Sequence, residues 1–410
     1  MEQKEIQSKF AKTTAEETAS EFAVYLGEEN IWFMKFIFAL KEEWINKGYK
    51  ISDILIREDK VVQVAPLKTY VPFISTEFPR GVVPKRTQIN EIAKKFIRIQ
   101  SEDDLKAGSM HEFSFFILGL GIFRVSYSHD DSGVGMSIRY LTFNIPEMEQ
   151  MRYPKFYRDF IENMLGKNTV STPRGIVDVG SIKNGGLILH VGPTGSGKTT
   201  GIASEVGFFA ERITGAIATY ENPIEYRYTA TKAPIRQYEI GVDIKKTDSL
   251  TEFGSIKRHL LRNNPSLVVI GEARDREEIR EMIDTAARGH LVLSTIHASS
   301  SLEALSLLMG ITKDEPELLA NSLHAIVAHK LLTNQKGEIV PVYDIIIPDV
   351  VFRSHISKGD TKEVSRAIVG GTLKTSITFS KSLHKEVSEG RITVEEMRRA
   401  SVGTIKEDSK

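Results

Sequence analysis

Cysteine is absent from the 410-residue sequence, which excludes disulfides, thiol catalysis, iron–sulfur clusters and every cysteine-ligated zinc site. Net charge is absent too, because 54 Lys and Arg side chains balance 54 Asp and Glu side chains. A protein that coats nucleic acid needs a basic excess to neutralise phosphates, so we expect no direct nucleic-acid binding. With 41% hydrophobic and 26% charged residues, the chain can bury a sizeable core, which excludes global disorder.

No apolar run in the sequence has the length of a membrane span. The most membrane-like stretch, from Phe113 to Phe123, is closed by Glu112 and Arg124 and contains two glycines. A spanning helix needs about 20 apolar residues, and this run is far shorter, so we interpret it as a buried strand and turn. The charged start of the chain lacks the apolar core of an export signal. We therefore expect a soluble protein whose membrane contacts are peripheral.

Hydrophobic periodicity divides the chain into four predicted segments. Residues 1–145 combine a helical start with later helices and short antiparallel strands, which indicates a small α+β domain. Residues 146–183 are predicted to form a helical connector. Residues 184–310 alternate short apolar strands with helices, which is typical of a parallel sheet buried on both faces and predicts an α/β core. Residues 311–410 are predicted to be mostly helical, with one helix over 318–332.

The strongest local signal is a glycine-rich pattern between an apolar strand and a helix. Residues Gly192 to Thr199 complete the phosphate-loop pattern called Walker A, and the strand Leu187–Val191 precedes them. Glycines let backbone N–H groups point at phosphate oxygens, and the following helix presents its N-terminal dipole to the same anion. We expect Lys198 to reach the β- and γ-phosphates and the Thr199 hydroxyl to ligate Mg²⁺. The predicted nucleotide contacts are Gly192, Pro193, Thr194, Gly195, Ser196, Gly197, Lys198, Thr199 and Thr200.

A second pattern, Leu267 to Glu272, is a candidate Walker B motif. Four apolar residues form a core strand that delivers a carboxylate to its C-terminal end, beside the phosphate loop. Taken alone the pattern is weak, because many buried strands end in an acidic residue. Gly271 also stands where most P-loop ATPases carry an aspartate. The alternative is a buried strand followed by an incidental Glu272.

Four blocks in a fixed order resemble the secretion-ATPase superfamily, the motors of type II and type IV secretion and of type IV pili. They are the phosphate loop, Tyr220–Tyr226 (similar to the family's acidic Asp box), Gly271–Asp275 (similar to its Walker B) and Gly289–His297 (similar to its His box). The resemblance implies an α/β protein with a RecA-like P-loop ATPase core, a smaller PAS-like α+β N-terminal domain and a helical C-terminal region. It also implies ATP and Mg²⁺ as cofactors.

The resemblance further implies roles for particular side chains. Glu221 would orient the attacking water, and Glu272 would hold the metal directly or through its water. Arg124 and Arg139, from the N-terminal domain, would stabilise the phosphate charge, and ordinary surface arginines are the alternative. Of the two His-box histidines, His297 is the candidate for sensing the γ-phosphate or linking it to a subunit interface. The alternative is a structural histidine.

Two positions depart from the family pattern. Asn222 stands where an Asp is usual, which leaves Glu221 as the sole acid at that turn, and Tyr238 stands where an Arg is common. Glu225 is a second acid in the same box, with a solvated charge at a strand end as the alternative. Three arginines of the core rank below those of the N-terminal domain as phosphate ligands: Arg262, Arg274 and Arg280.

The branch of the family is predicted from the residues of its motifs and from motifs that the sequence lacks. Without cysteine, the four-cysteine zinc element usual in pilus-extension and type II secretion motors cannot exist here. The stretch Val351–Lys358 matches poorly the C-terminal helix of pilus-retraction motors. The Asp-box and Walker B wording is closer to DotB/TraJ-like motors of type IVB secretion and conjugation, with a retraction motor as the second choice. A DNA translocase or helicase is the rival of another class.

Assembly and location are expectations from the same resemblance. It implies a homo-oligomeric ring of six subunits that works in the cytoplasm, at the cytoplasmic face of the inner membrane. There the ring would push on an inner-membrane platform protein of a secretion or pilus machine. Neither zinc nor nucleic acid is expected among the partners.

Overall fold

The computed structural model describes residues 31–47, 51–66, 69–97, 105–117, 121–141, 145–172, 175–228, 231–241, 243–244, 252–335 and 337–401. The predicted helical start of the chain lies outside these residues. Backbone contacts divide the chain into two compact units. The first consists of residues 1–144 with 225–227, and the second consists of residues 145–224 with 228–410. No helix in the described ranges combines the length and apolar composition needed to cross a bilayer.

The first unit is built on a six-stranded antiparallel sheet in the order β3-β2-β1-β6-β5-β4. Its helices are α1 (Ile31–Leu40, continued by a π-helical turn Lys41–Ile45) and α2 (Arg86–Ile97). Its strands are β1 (Ile51–Arg57), β2 (Gln63–Pro66), β3 (Val71–Pro72), β4 (Met110–Ile117), β5 (Gly121–Asp130) and β6 (Gly133–Leu141).

Alternating apolar residues account for this sheet. Ile54 pairs with Val64 across the β1–β2 hairpin, and both side chains are fully buried because every second residue of each strand faces the core. The apolar run from Phe113 to Phe123 pairs with itself as β4 and β5, with the rings of Phe115 and Phe123 stacked 4.9 Å apart. The interpretation of that run as buried strand is therefore confirmed.

The second unit contains an eight-stranded sheet and a separate two-stranded hairpin. Its strands are β7 (Leu165–Thr172), β8 (Gly175–Ile182), β9 (Gly186–Val191), β10 (Ile217–Glu221), β11 (Ile235–Glu239), β12 (Leu267–Ile270), β13 (Leu291–Ile296), β14 (Leu323–Thr333), β15 (Ile339–Ile346) and β16 (Ser376–Ile377). Its helices are α3 (Lys155–Asn163), α4 (Lys198–Ala210), α5 (Glu252–Asn263), α6 (Arg276–Ala287), α7 (Ser301–Ile311), α8 (Pro316–Ser322), α9 (Val350–Ser357), α10 (Thr361–Val369), α11 (Phe379–Ser388) and α12 (Val394–Ser401).

The large sheet has the order β11-β10-β12-β13-β9-β14-β15-β16. The strands from β11 to β14 pair in parallel, and β15 and β16 add an antiparallel edge. Separate hydrophobic clusters cover its two faces, so β9, β12 and β13 are buried along their whole length. The predicted alternation of short apolar strands with helices in the core is confirmed. Parallel pairing brings the carboxyl ends of β9, β10, β12 and β13 to one edge, where ligands bind in such sheets.

Two local predictions were wrong. The predicted helix over 318–332 ends at Ser322, and the chain continues as β14. Residues 325–328 are all fully buried, which a strand between two neighbours permits and a surface helix does not. The connector 146–183 is helical only over α3, because the β7–β8 hairpin occupies 165–182. The capping pair that begins the last helix is present: Thr393 Oγ1 accepts from the Glu396 N–H at 3.1 Å.

Candidate nucleotide site

The glycine-rich loop follows β9 directly and ends where α4 begins. Gly192 has φ of +146° and Gly197, the N-cap of α4, has φ of +97°, a region that L side chains avoid. A Cβ at position 192 would also lie 2.5 Å from Ser196 Oγ and 2.7 Å from the His329 carbonyl oxygen. Glycine is therefore required here both for backbone conformation and for close approach of β14.

Lys198 places its charge within this loop. Its ammonium donates to the Gly192 carbonyl at 2.7 Å and to the Pro193 carbonyl at 3.2 Å. The side-chain hydroxyl of Ser196 is buried and makes no hydrogen bond among the described residues. A buried donor without a partner is costly unless a ligand satisfies it. A cation, an unsatisfied hydroxyl and a helix N-terminus thus meet at one point, which is the chemistry of a phosphate site.

Glu221 ends β10 at the sheet edge where phosphate loops lie. The residue is 7% exposed, and its Oε1 accepts from Thr219 Oγ1 at 2.6 Å and from Gln237 Nε2 at 3.4 Å. The neighbouring β12 holds Gly271 beside it, since the Gly271 N–H donates to the Tyr220 carbonyl at 2.8 Å. A Cβ at position 271 would lie 3.3 Å from the Glu221 Cα, which explains a glycine where an aspartate is common.

Glu272 is held between Arg274 and His297. Arg274 Nε donates to its carboxylate at 2.8 Å, and His297 Nε2 lies 2.6 Å from the other oxygen. Partial burial raises the pKa of Glu272, but the hydrogen bond and charge of Arg274, together with His297, outweigh this and hold the pKa below its usual value. These residues line a cavity of about 380 Å³ with the apolar side chains of Ile279, Ile296 and Leu307. The structure thus brings two predicted site residues together.

The oxygen donors available for a metal are those expected for Mg²⁺. Thr199 lies in the first turn of α4, where the loop ends, and Glu272 follows β12 at the same sheet edge. Hydroxyl and carboxylate oxygens are hard ligands, and Mg²⁺ is commonly held by one or two such groups together with substrate phosphates. The donor set therefore fits Mg²⁺ bound with a nucleotide.

The two predicted arginines lie directly opposite each other in the first unit. Arg124 on β5 pairs with Arg139 on β6, so both side chains leave the same face of the sheet. Carboxylates surround them: Arg139 Nε donates to Asp53 at 3.2 Å, and Arg124 lies 3.7 Å from Glu112 and 3.8 Å from Glu225. Like charges opposite each other are unfavourable in a sheet, and these carboxylates offset the repulsion between the two arginines.

The remaining candidates have structural partners. His290 Nδ1 lies 2.8 Å from the Pro265 carbonyl, and Arg280 pairs with Asp284 and Glu315. Tyr238, which replaces the family's usual Arg, stacks on the Tyr220 ring at 5.3 Å. Arg274, ranked low from the sequence, is the arginine that contacts the Walker B carboxylate.

Comparisons with known proteins identify secretion and pilus ATPases as similar to this chain. A family model described as type II/IV secretion system protein matches residues 178–399. The type IV pilus ATPase PilU of Pseudomonas aeruginosa is 30% identical over 294 residues, which cover 70% of each chain. A crystal structure of the pilus retraction motor PilT with bound ADP has a TM-score of 0.71 at 26% identity, covering 89% of this chain and 96% of that one. The Legionella pneumophila ATPase DotB has a TM-score of 0.69 at 19% identity, covering 87% and 93%, which concerns the fold alone.

Proposed function

The chain belongs to the type II/IV secretion system protein family and is an ATPase of the secretion and pilus class, and from this premise we propose that it is a Mg²⁺-dependent, ring-forming motor of six subunits. The observation that carries the proposal is the phosphate loop, with Lys198 at its end and the buried carboxylate of Glu221 on the same sheet edge. Its α/β fold is the ATPase fold expected from the sequence.

In the proposed reaction the loop N–H groups and Lys198 bind the β- and γ-phosphates, and Lys198 exchanges its loop carbonyls for phosphate oxygens. Bound Mg²⁺, held through Thr199 and Glu272, would supply charge neutralisation at the phosphates. Glu221 accepts a hydrogen bond from the attacking water and aligns it with the γ-phosphate. Thr219 and Gln237 fix the Glu221 carboxylate, so its orientation precedes substrate binding.

Arg124 and Arg139 are proposed to contribute positive charge toward the γ-phosphate. Their shared sheet face presents two guanidinium groups together, and each is a bidentate donor suited to phosphate oxygens. Release of the cleaved phosphate removes the anion that both attract. Order and release at the γ-phosphate is a known way to convert hydrolysis into domain movement.

The central test compares Lys198→Ala with Glu221→Gln by phosphate release from ATP and by equilibrium binding of ATP. We expect both variants to lose turnover, by about 100-fold or more, because each removes a group needed in the transition state. Lys198→Ala should also lose ATP binding, whereas Glu221→Gln should retain it. Loss of binding in Glu221→Gln would refute its assigned role, and a wild-type protein that releases no phosphate in the presence of Mg²⁺ would refute the motor.

Electron microscopy with a non-hydrolysable ATP analogue tests the six-membered ring.

The machine that this motor drives has two candidates. The wording of the Asp box and Walker B favours type IVB secretion or conjugation, whereas the 30% identity to PilU and the similarity to PilT favour pilus retraction. In either case the proposed partner is an inner-membrane platform protein, contacted from the cytoplasmic side. Deleting the gene in its own host decides: loss of pilus-dependent surface motility supports retraction, and loss of conjugative transfer or protein secretion supports the other branch. ATP hydrolysis that requires DNA and tracks strand unwinding would refute both.

A further inference from the structure

A network of buried polar side chains links the elements next to the phosphate loop. His190 on β9, Glu205 on α4 and His329 on β14 are 0%, 0% and 2% exposed. His190 Nδ1 lies 2.7 Å from His329 Nε2, and His190 Nε2 lies 3.1 Å from the Glu205 carboxylate. Tyr157 on α3 donates its hydroxyl to the other Glu205 oxygen at 2.7 Å. None of these four side chains has a part in the reaction described above.

The geometry of this side-chain network indicates which atoms carry protons. A contact of 2.7 Å between two ring nitrogens needs one proton between them, supplied by either His190 or His329. Burial, followed by the nearby His190 and Lys198, lowers the pKa of His329 well below its usual value, so this ring is neutral. One Glu205 oxygen accepts from the Tyr157 hydroxyl, and the other lies within hydrogen-bond distance of His190 Nε2. Each member has a partner, which is the condition under which a buried carboxylate is tolerated.

The side-chain network connects the strands and the helix that meet at the phosphate loop. His190 stands two residues before Gly192, and Glu205 lies in the helix that leaves the loop. The His329 carbonyl oxygen would lie 2.7 Å from a Cβ at Gly192. A Cβ at Gly201, within α4, would lie 2.6 Å from the Tyr153 hydroxyl, 2.7 Å from His329 Cε1 and 3.2 Å from His190 Nδ1. Glycine weakens a helix interior, so Gly201 is retained for the close approach of these rings.

We propose that Glu205, His190 and His329 are positioning residues that join the strand entering the phosphate loop to the helix leaving it, and thereby set the affinity for nucleotide phosphates. They act through the placement of Lys198 and of the first N–H groups of α4 and do not touch the nucleotide. Shifts on the order of 1 Å in such groups are enough to weaken a site. The proposal rests on the proposed nucleotide site and goes beyond it by assigning the groups that hold its shape.

The test measures three quantities on the full chain: the KM for ATP, the turnover at saturating ATP and the thermal midpoint without nucleotide. Glu205→Ala removes the shared acceptor, and His329→Leu removes the ring that supports the loop. We expect each to raise the KM for ATP about tenfold while turnover at saturation stays within about twofold. Glu205→Gln and His329→Gln keep hydrogen-bonding groups at the same places and are expected to restore the KM to within about threefold.

Glu386→Ala is the matched control. Glu386 on α11 is also a buried carboxylate of the second unit, 4% exposed, and it pairs with Arg391 in the segment between α11 and α12. Its loss should lower the thermal midpoint and leave the KM for ATP unchanged. An equal rise of KM in Glu386→Ala, or a folded Glu205→Ala with the wild-type KM, would overturn the positioning role.

Three further outcomes are informative. If Glu205→Ala does not fold, the comparison of His329→Leu with His329→Gln decides by the same criterion. If wild-type protein binds no ATP, the proposed function fails and the positioning role fails with it. If wild-type protein binds ATP and Lys198→Ala does not, while the network variants match the wild type, the positioning role alone is refuted.

Discussion

The second unit contains two histidine–carboxylate pairs with the same chemistry in opposite surroundings. His190 and Glu205 lie 3.1 Å apart with both side chains fully buried. His297 and Glu272 lie 2.6 Å apart, and the His297 side chain is 55% exposed. A buried pair cannot exchange its partner for water or a ligand, whereas an exposed pair can. The first arrangement is therefore suited to holding the loop, and the second is suited to contacting substrate and metal.

Desolvation explains why the buried pair depends more strongly on its additional partner than the exposed pair does. Removing a charge from water costs several kcal/mol, which is recovered only when every remaining donor and acceptor is satisfied. Glu205 accordingly has Tyr157 as a second donor. Glu272 needs less support, because solvent screens it, and its additional partner Arg274 is itself 66% exposed on its side chain.

The largest effect is expected when the exposed pair loses its charge. Glu272→Gln keeps the shape of the side chain but removes the carboxylate proposed to hold Mg²⁺, so turnover should fall by about 1000-fold. Phosphate release at saturating ATP and Mg²⁺ measures this. The thermal midpoint should stay close to that of the wild type. A variant that hydrolyses ATP within about tenfold of wild type would show that the exposed pair is not part of the chemistry.

The next effect contrasts the pairs directly through stability. His190→Leu leaves a buried carboxylate without its partner and should lower the free energy of unfolding by about 3 kcal/mol. His297→Leu breaks a solvent-screened pair and should lower the free energy of unfolding by less than about 1 kcal/mol. Urea unfolding of the two variants under identical conditions gives both values. Equal losses of stability would contradict the view that the buried pair holds the structure whereas the exposed pair does not.

Sequence analysis named both members of the exposed pair as separate site candidates and missed the buried pair, for a physical reason. Glu272 and His297 each follow a predicted core strand, and parallel strands end at one edge, so their meeting could be expected. His190 and His329 are 139 residues apart in sequence, and only the parallel pairing of β9 with β14 places them together. The wrong helix over 318–332 concealed that pairing, because an apolar run that is buried on both faces has the same composition in either element.

A weaker signal for the buried pair was present. His190 interrupts an otherwise apolar strand, and Glu205 lies in a helix of small and apolar residues, and a polar residue in such a place must find a buried partner. The phosphate loop, by contrast, was predictable residue by residue, because its glycines and Lys198 serve local backbone geometry and a fixed ligand. The opposition of Arg124 and Arg139 required the register of β5 and β6, which the sequence does not specify.

A smaller effect tests the space that the buried pair occupies. Gly201→Ala would bring a methyl group within 2.7 Å of the His329 ring, and we expect a loss of about 2 kcal/mol in the free energy of unfolding. Gly207 on the same helix is the control, because a Cβ there would meet only Ile145 at 3.7 Å, an ordinary contact. Gly207→Ala should be neutral or stabilise the helix by about 0.5 to 1 kcal/mol. If both substitutions have the same effect, the rings do not require the glycine.

The smallest effect concerns the pH dependence of the exposed pair. Arg274 and His297 hold the pKa of Glu272 below 4.5 in the folded protein against the opposing effect of burial. A carboxyl with a lowered folded-state pKa contributes stability that is fully present above the unfolded value and is lost as the pH falls through the folded value. At pH 6 the free energy of unfolding should therefore be higher for wild type than for Glu272→Gln, by less than about 1 kcal/mol. The difference should shrink as the pH is lowered below 4.5. Urea unfolding at several pH values measures it, and a difference that stays constant over this range would mean that Glu272 is not paired in solution.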